Sequence, residues 1–255
     1  MKRVGFDELV AHLRDALAAL PDRRQGRNRS YAMADFGLSA FSVFFTQSPS
    51  FLAHQRTMQQ ARGHHNAQSF FHVQQIPCDN QIRQMLDPVP PETLFPVYDR
   101  IYDTLREQGI LERFRGVHNS TFIALDGTWY HSSSKIHCPC CSTLEHPNGA
   151  ITYDHENENN NTLKTKGYHL EHNFGHGQQH LASLLAAMNI LAFLCHTVLG
   201  FTDEHYRLIR ATLPTRKTCF QDVRALLRYL HFPRWQGLLR FMMRGLEIGP
   251  YAQPT

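Results

Sequence analysis

The chain lacks the patterns that mark most secreted proteins. Its opening residues include Lys2, Arg3, Asp7 and Glu8 and contain no apolar core, so no signal peptide is predicted. Its six cysteines do not form a spaced disulfide framework, because three of them are crowded into residues 138–141. Both observations favour a protein of the reducing cytoplasm.

The chain has one long uncharged run, residues 181–199, which is long enough to be a candidate transmembrane helix. It contains Ser183, Asn189, His196 and Thr197, and no asymmetry of charge flanks it. We therefore predict a helix buried in a protein core. The chain also shows no internal repeat, no G-x-S-x-G motif and no phosphate-binding loop motif.

The charges are unevenly distributed along the 255 residues. Lys and Arg outnumber Asp and Glu by seven to four in residues 1–30 and by nine to four in residues 201–255. In residues 31–200 the balance is reversed, with ten basic residues and fourteen acidic ones. Basic ends around an acidic centre suit a protein that contacts phosphates at its flanks and metal in its middle. The N-terminal candidates for DNA binding are Arg23, Arg24 and Arg27. Ordinary solvated helix faces are the alternative.

Helical periodicity dominates both ends of the chain. One helix face is predicted near the N-terminus from the spacing of Phe6, Leu9, Leu13 and Leu17, and Pro21 ends that helix. Further helices are predicted at 31–46, 50–62, 79–86 with Asp79 as the N-cap, and 94–105. Residues 178–245 predict three or four more, broken at Gly200, Pro214 and Pro233.

The centre of the chain predicts three strands, at residues 121–125, 127–130 and 150–153, followed by a helix that begins at Glu156 and ends near Gly167. The predicted fold class is α+β and mostly helical, with three antiparallel strands between two helical regions. We expect a helical N-terminal region at 1–116, which could bind DNA, a central domain at 117–200 and a basic helical C-terminal region at 201–255.

Acidic residues at the ends of these elements suggest a metal site. Asp126 closes the apolar run 121–125, and Glu156 and Glu158 stand where the next helix is expected to open. Divalent cations such as Mg²⁺ prefer oxygen ligands, and a pair of ions can hold both oxygens of a phosphoryl displacement. Alternatively, Asp126 caps a turn and the glutamates are solvated.

Two clusters suggest other metals. Cys138 and Cys141 have the C-x-x-C spacing of zinc ligands, with His146 nearby, but no second pair follows at the spacing of a zinc finger. The alternative is a pair of reduced cysteines in a β-hairpin. The histidines of residues 169–180 do not form H-E-x-x-H, which favours a polar turn.

Several blocks of the chain resemble the DDE transposases of bacterial insertion sequences. They are residues 34–51, 79–87, 124–128, 135–141, 148–155 and 156–177, and together they extend in order over most of residues 30–200. The resemblance implies a ribonuclease-H-like catalytic domain, dependence on Mg²⁺ or Mn²⁺, and cleavage and joining of DNA at element ends.

The resemblance also assigns roles to particular residues. Asp126 matches the first acid of the catalytic triad, Glu156 or Glu158 matches the last, and Lys164 is similar to the basic residue that follows on the same helix. The middle Asp has no counterpart, and Tyr153, Asp154 and His155 stand where an Arg-Trp pair is expected. The sequence therefore looks like an internally deleted copy, joined near residues 155–156.

This resemblance leads to the expectation of an inactive transposase. The alternatives are a remnant that binds element DNA or pairs with intact transposase and inhibits it, and a zinc-dependent nucleic-acid module built around residues 138–146. The expected partners are the terminal repeats of the element and a second copy of the chain or an intact transposase.

Overall fold

The computed structural model describes residues 4–24, 29–59, 65–116, 128–135, 142–157, 163, 167–170, 172 and 174–252. The first set of helices comprises α1 (Phe6–Ala18), α2 (Met33–Phe45), α3 (Phe51–Gln59), α4 (Asn66–Phe71), α5 (Asp79–Leu86) and α6 (Phe95–Glu107). Short 3₁₀ turns, Pro91–Leu94 and Ile110–Phe114, flank α6.

The second set follows the sheet and comprises α7 (Leu181–Thr202), α8 (Glu204–Thr212), α9 (Arg216–Tyr229) and α10 (Trp235–Gly245), with a final 3₁₀ turn at Gly249–Tyr251. The prediction of up to four helices here is confirmed, as are the breaks at Pro214 and Pro233. The predicted break at Gly200 is wrong, because α7 continues to Thr202. Gly200 stays helical because packing outweighs its weak helix propensity.

Helices α2 and α7 lie at the centre of the helical packing. Every residue of α2 except Asp35 is buried, and α2 packs against α1, α5 and α7. The aromatic side chains predicted for the core, Phe36, Phe41, Phe44 and Phe45, are all at most 2% exposed. Gly37 lies where an added Cβ would meet the side chain of Leu17, so it permits α1 and α2 to approach closely.

Helix α7 contains the uncharged run that was considered as a candidate transmembrane helix. Its 22 residues are long and apolar enough to cross a membrane by length and composition, but 61% of its most apolar window is buried inside the protein. Tyr98 of α6 donates a hydrogen bond to the Ala187 carbonyl at 2.6 Å, which ties α6 to this helix. The prediction of a buried core helix is confirmed.

One continuous core joins helices that precede and follow the sheet. Phe6 of α1 stacks on Trp235 of α10 at 5.0 Å between ring centroids, and Phe45 of α2 contacts Phe220 of α9 at 6.1 Å. The proposed division of the chain at residues 116 and 200 stays a prediction, while helices on both sides of it share this core.

Helix α4, which was not predicted, connects the first set of helices to the second through buried hydrogen bonds. Asn66 is fully buried and donates from Nδ2 to the carbonyls of Leu227 (3.0 Å) and Leu230 (2.9 Å). Its Oδ1 accepts from the backbone N–H of Phe232 at 2.9 Å. A single side chain therefore satisfies three backbone groups near the end of α9, where the carbonyls of a helix lack internal partners.

The described strands form a three-stranded antiparallel sheet, consisting of β1 (Thr128–Ser133), β2 (Ser142–Glu145) and β3 (Ile151–Asn157). Their order is β1-β3-β2, so β3 lies between the other two. The α+β class with a small antiparallel sheet is confirmed. The predicted strand at 121–125 lies outside the described residues, and β2 was not predicted.

Two predicted helix starts are corrected. Glu156 does not open a helix, because it belongs to β3 and pairs with Trp129 of β1. The asparagines that follow are poor helix formers, and the pairing with β1 continues the strand to Asn157. The N-cap of α5 is Cys78 rather than Asp79, which occupies the first helical turn. An acid there is favoured by the helix dipole.

Candidate functional site

The predicted catalytic acids are only partly represented among the described residues. Asp126 and Glu158 lie outside them, and Glu156 is described as part of the backbone of β3. Within the described part of the chain, no group of three His, Cys, Asp or Glu residues could hold a metal ion. The predicted Mg²⁺ site therefore stays a prediction, with Glu156 as its one acid whose backbone is described.

The pairing of β1 with β3 is irregular beside Glu156. Trp129 pairs with Glu156 and His131 pairs with His155, so Tyr130 is an extra residue on β1. Such a bulge locally breaks the ladder and bends its strand. It lies opposite residues 155–156, where the sequence analysis placed the junction of the deletion.

The predicted zinc ligands Cys138 and Cys141 also lie outside the described residues. His146, which was considered as a neighbour, is described: its Nε2 lies 3.0 Å from the Thr152 hydroxyl. Its backbone N–H donates to the Ala150 carbonyl at 2.8 Å, which closes the β2–β3 hairpin. His146 therefore has a structural role in the turn.

The basic residues predicted near the N-terminus differ in their availability. Arg23 is exposed. Arg24 forms an ion pair with Asp22 at 2.8 Å and donates to the Tyr31 carbonyl at 2.6 Å. Hydrogen bonds from Arg24 lower the pKa of Asp22 to about 2. Arg24 thus holds the chain entering α2, whereas Arg27 and Lys164 lie outside the described residues.

Helices α9 and α10 carry the most concentrated basic surface of the second half of the chain. Between Asp222 and Glu247 the sequence has five arginines and no acid. On α10, Arg240 and Arg244 project from the face opposite the buried Trp235, and Arg234 at the N-cap is exposed. We call these three arginines the basic face of α10.

The basic face of α9 consists of Lys217, Arg224 and Arg228, which recur at helical spacing. Lys217 and Arg228 are exposed, and neither forms an ion pair with another described residue. The excess of basic residues in this region was predicted from the sequence, but these particular residues were not. The absence of acids after Asp222 is the signal that would have identified them.

Exposed aromatic rings accompany these arginines. Tyr229 is 72% exposed and lies under the Arg228 guanidinium at 5.4 Å, and Phe241, which is 47% exposed, lies between the arginines of α10. Arginines beside exposed aromatic rings are typical of nucleic-acid-binding surfaces, where they contact phosphates and stack on bases.

A buried network anchors residues 167–170 to the helices. Arg216 donates to the Tyr168 hydroxyl at 2.8 Å, and that hydroxyl oxygen lies 2.6 Å from His196 Nδ1. Asn189 of α7 donates to the Tyr168 carbonyl at 2.8 Å. Burial raises the pKa of Tyr168 and lowers that of His196, so both side chains stay neutral at neutral pH.

A second buried group resembles a nucleophile and its base. The Ser42 hydroxyl lies 2.8 Å from Nε2 of His54, and Thr46 Oγ1 lies 3.2 Å from Nδ1. Both Ser42 and His54 are at most 2% exposed, and burial lowers the pKa of His54 to about 3. A substrate could not reach this pair, which serves to fix α3 on α2.

Two cavities open on the helical surface, and neither is lined by a predicted site residue. A groove of about 930 Å³ between α1 and α6 has acidic side chains, including Asp15, Asp99 and Asp103. A pocket of about 430 Å³ between α6 and α7 has an apolar lining that includes Tyr102 and Phe201.

Comparisons of the chain with protein-family models, with curated proteins and with solved structures found no match in any of the three. The strongest described element of the candidate site is the basic surface of α9 and α10.

Proposed function

We propose that the chain descends from a DDE insertion-sequence transposase, has lost the middle acid by an internal deletion, and binds DNA in the cytoplasm without cutting it. The sequence blocks quoted above are the basis for the relationship. The observation that carries the binding function is the pair of basic faces on α9 and α10, where exposed arginines have no acid in the sequence between Asp222 and Glu247.

The position of Glu156 supports the loss of catalysis. The resemblance requires the last acid on a helix, and Glu156 lies within β3 instead. Two metal ions need more carboxylate ligands than Asp126 and Glu156 supply. The bulge at Tyr130 lies opposite residues 155–156 and supports a deletion junction at that point of the chain. A strand assembled from two originally separate segments can be out of register with its partner by one residue, and a bulge on the partner strand corrects that shift.

The basic faces support DNA binding because a row of exposed cations replaces the counterions of a phosphate backbone. Lys217 and Arg228 lie along one side of α9, and Arg240 and Arg244 lie along one side of α10. Exposed Tyr229 and Phe241 add apolar and stacking contacts. Pairing with an intact transposase, and hence its inhibition, is part of the same proposal.

The test is to incubate the purified chain with duplex DNA that carries the element ends, with Mg²⁺ or Mn²⁺ present. We expect a shifted protein–DNA complex and no nicked or joined product. An Asp126→Ala variant is the matched control, and it should bind DNA as the parent does. Metal-dependent cleavage that disappears in Asp126→Ala would contradict the proposal, as would the absence of any DNA complex at low salt.

A further inference from the structure

Two exposed aromatic rings lie near each other where α9 leads into α10. Tyr229 is the last residue of α9 and is 72% exposed, and Phe241 of α10 is 47% exposed. Phe232, three residues after Tyr229, packs edge-on against Phe241 with 5.7 Å between the ring centroids. Because three residues of chain span at most about 11 Å, both exposed rings belong to one part of the surface. We call Tyr229, Phe241 and the linker 230–234 the aromatic patch.

Hydrogen bonds to α4 hold the backbone of the aromatic patch. Asn66 donates to the Leu230 carbonyl at 2.9 Å and accepts from the Phe232 N–H at 2.9 Å. The Ser69 hydroxyl donates to the Phe232 carbonyl at 2.7 Å. The exposed rings therefore extend from a backbone that is already ordered. A ligand that stacks on them does not have to order this segment, which removes one cost of binding.

Each exposed ring has an arginine beside it. The Arg228 guanidinium lies over the Tyr229 ring, 5.4 Å from its centroid. Arg244 follows Phe241 by three positions on α10, which makes the two side chains neighbours on the helix surface. Gly237 lies one turn before Phe241, and a Cβ added there would stand in open space. The surface next to the Phe241 ring is therefore open to a ligand.

The charges around the aromatic patch match those of a phosphate backbone. Residues 223–246 include five arginines and no acidic residue. Arginines can neutralise the phosphates of a nucleic acid while its bases stack on neighbouring aromatic rings. The combination of stacking groups and cations without acids therefore favours a nucleic acid as the occupant of this surface.

The rings discriminate between the two forms of DNA. In a duplex each base is stacked between its neighbours, so the grooves present only base edges. An unpaired base has a free face that can stack on an aromatic side chain. Charge acts in the opposite direction, because a duplex carries its phosphates more densely than a single strand does. A preference for the single strand would therefore come from the rings and not from the arginines.

We propose that the aromatic patch binds unpaired bases, so that the surface of α9 and α10 binds single-stranded DNA in preference to duplex DNA. This inference rests on the proposed function, which supplies DNA as the ligand. Tyr229 and Phe241 stack on bases, and Arg228 and Arg244 bind the phosphates that connect those bases. Duplex DNA still binds through the arginines, without the stacking contacts.

The experiment measures the affinity of the full chain by fluorescence anisotropy with a labelled strand of mixed pyrimidines, which cannot pair with itself. The strand is used alone and after annealing to its complement. We expect the strand alone to bind more tightly. Tyr229→Ala and Phe241→Ala should each weaken single-strand binding roughly tenfold, the loss of one stacked base, and leave duplex binding nearly unchanged.

Two further variants separate stacking from other effects. Tyr229→Phe keeps the ring and should bind the single strand as the parent does, and a loss equal to that of Tyr229→Ala would overturn the stacking role. Phe95→Ala is the matched control, because Phe95 of α6 is 53% exposed and lies outside the basic faces. It should leave both affinities unchanged. Because each of these rings lies at the surface, all variants should keep the circular dichroism spectrum of the parent.

The inference is overturned if duplex DNA binds as tightly as the single strand, or if the alanine variants weaken both affinities by the same factor. Either result leaves the proposed function standing, because the arginines would then bind DNA without the rings. A complex with the single strand but not with the duplex supports the inference and counts against the proposed binding of duplex ends. If neither form binds at low salt, the proposed function itself is contradicted, and the inference falls with it.

A second copy of the chain is the other possible occupant of the aromatic patch. Size-exclusion chromatography of the same variants without DNA tests for it. A dimer of the parent that Tyr229→Ala or Phe241→Ala dissociates would show that the patch is an interface between copies, and it would overturn the inference. An oligomeric state that is the same in the parent and both variants supports a patch that is free to bind DNA.

Discussion

The helical body and the three-stranded sheet differ in how much of each is buried. Phe45 of α2 is 1% exposed and contacts rings from α1, α4, α9 and α10. In the sheet, by contrast, Leu144 and Ile151 are 40% and 44% exposed. Both regions use regular backbone hydrogen bonds, so the difference lies in the apolar surface that each removes from water.

Because of that difference, the region that stabilises the fold is not the region that carries the predicted catalytic residues. Burying a large apolar side chain contributes roughly 1.5–3 kcal/mol, so the helical body holds most of the folding free energy. Of the catalytic acids implied by the resemblance, Glu156 lies in β3, beside described residues that are partly exposed. The DNA-binding residues that we propose lie instead on the stable helices α9 and α10.

The largest expected effect comes from the core of the helical body. Phe45→Ala should lower the free energy of unfolding by about 3–5 kcal/mol, because it removes a buried ring and leaves a cavity. Leu144→Ala in the sheet should cost less than about 1 kcal/mol, since that side chain is partly exposed. Urea denaturation followed by circular dichroism measures both. Equal losses would show that the sheet has a core of its own.

A second comparison uses the same substitution in both regions. Asn66→Ala leaves the carbonyls of Leu227 and Leu230 without their buried partner and should cost about 2–4 kcal/mol. Asn148→Ala in the β2–β3 turn removes an exposed bond to the Ala150 N–H and should cost about 0.5 kcal/mol. If Asn66→Ala proved as mild as Asn148→Ala, the attachment of α4 to α9 would not be what joins the two sets of helices.

Asn66 also shows where sequence patterns stop being informative. The stripe from Phe6 to Leu17 predicted α1 because each buried residue recurs at helical spacing. Helix α4 has six residues, too few to display a period, and its polar start was interpreted as a loop. Its partners lie more than 160 positions away, and nothing local in the sequence encodes such a contact.

The candidate site was predictable only in part. The excess of basic residues after residue 200 was visible in the sequence, but which arginines are exposed depends on the packing of α10 against α8. Arg24 was predicted to bind DNA, and its bonds to Asp22 and Tyr31 depend on how the chain turns into α2. A helix was expected at Glu156, and the pairing of Glu156 with Trp129 is a contact between distant residues that periodicity does not encode.

A smaller effect is expected at the N-terminus of α7, with a definite dependence on pH. The Asp87 carboxylate accepts backbone N–H bonds from Gln178, Gln179 and Leu181. Burial opposes ionisation, but these bonds outweigh it and lower the pKa of Asp87. Its contribution is therefore complete above the unfolded value of about 3.9 and is lost as the pH falls through the lowered folded value.

Asp87→Asn should accordingly lower the free energy of unfolding by about 1 kcal/mol at pH 7, in the range of a lost helix cap. The difference between parent and variant should shrink as the pH falls below about 4. Thermal denaturation across this pH range measures it. A difference that stayed constant down to pH 2, or that grew in acid, would rule out the capping role.

The most direct test of the account is the salt dependence of DNA binding by a variant of the helical body. Arg234, Arg240 and Arg244 are changed together to Gln, and fluorescence anisotropy with labelled duplex DNA gives the affinity at several salt concentrations. Because each phosphate contact contributes roughly 0.9 to the slope of log affinity against log salt, the triple variant should lose roughly 2–3 units of slope. Lys135→Ala beside the sheet should keep the parent slope. A triple variant with the parent slope and affinity would contradict the claim that these helices bind DNA.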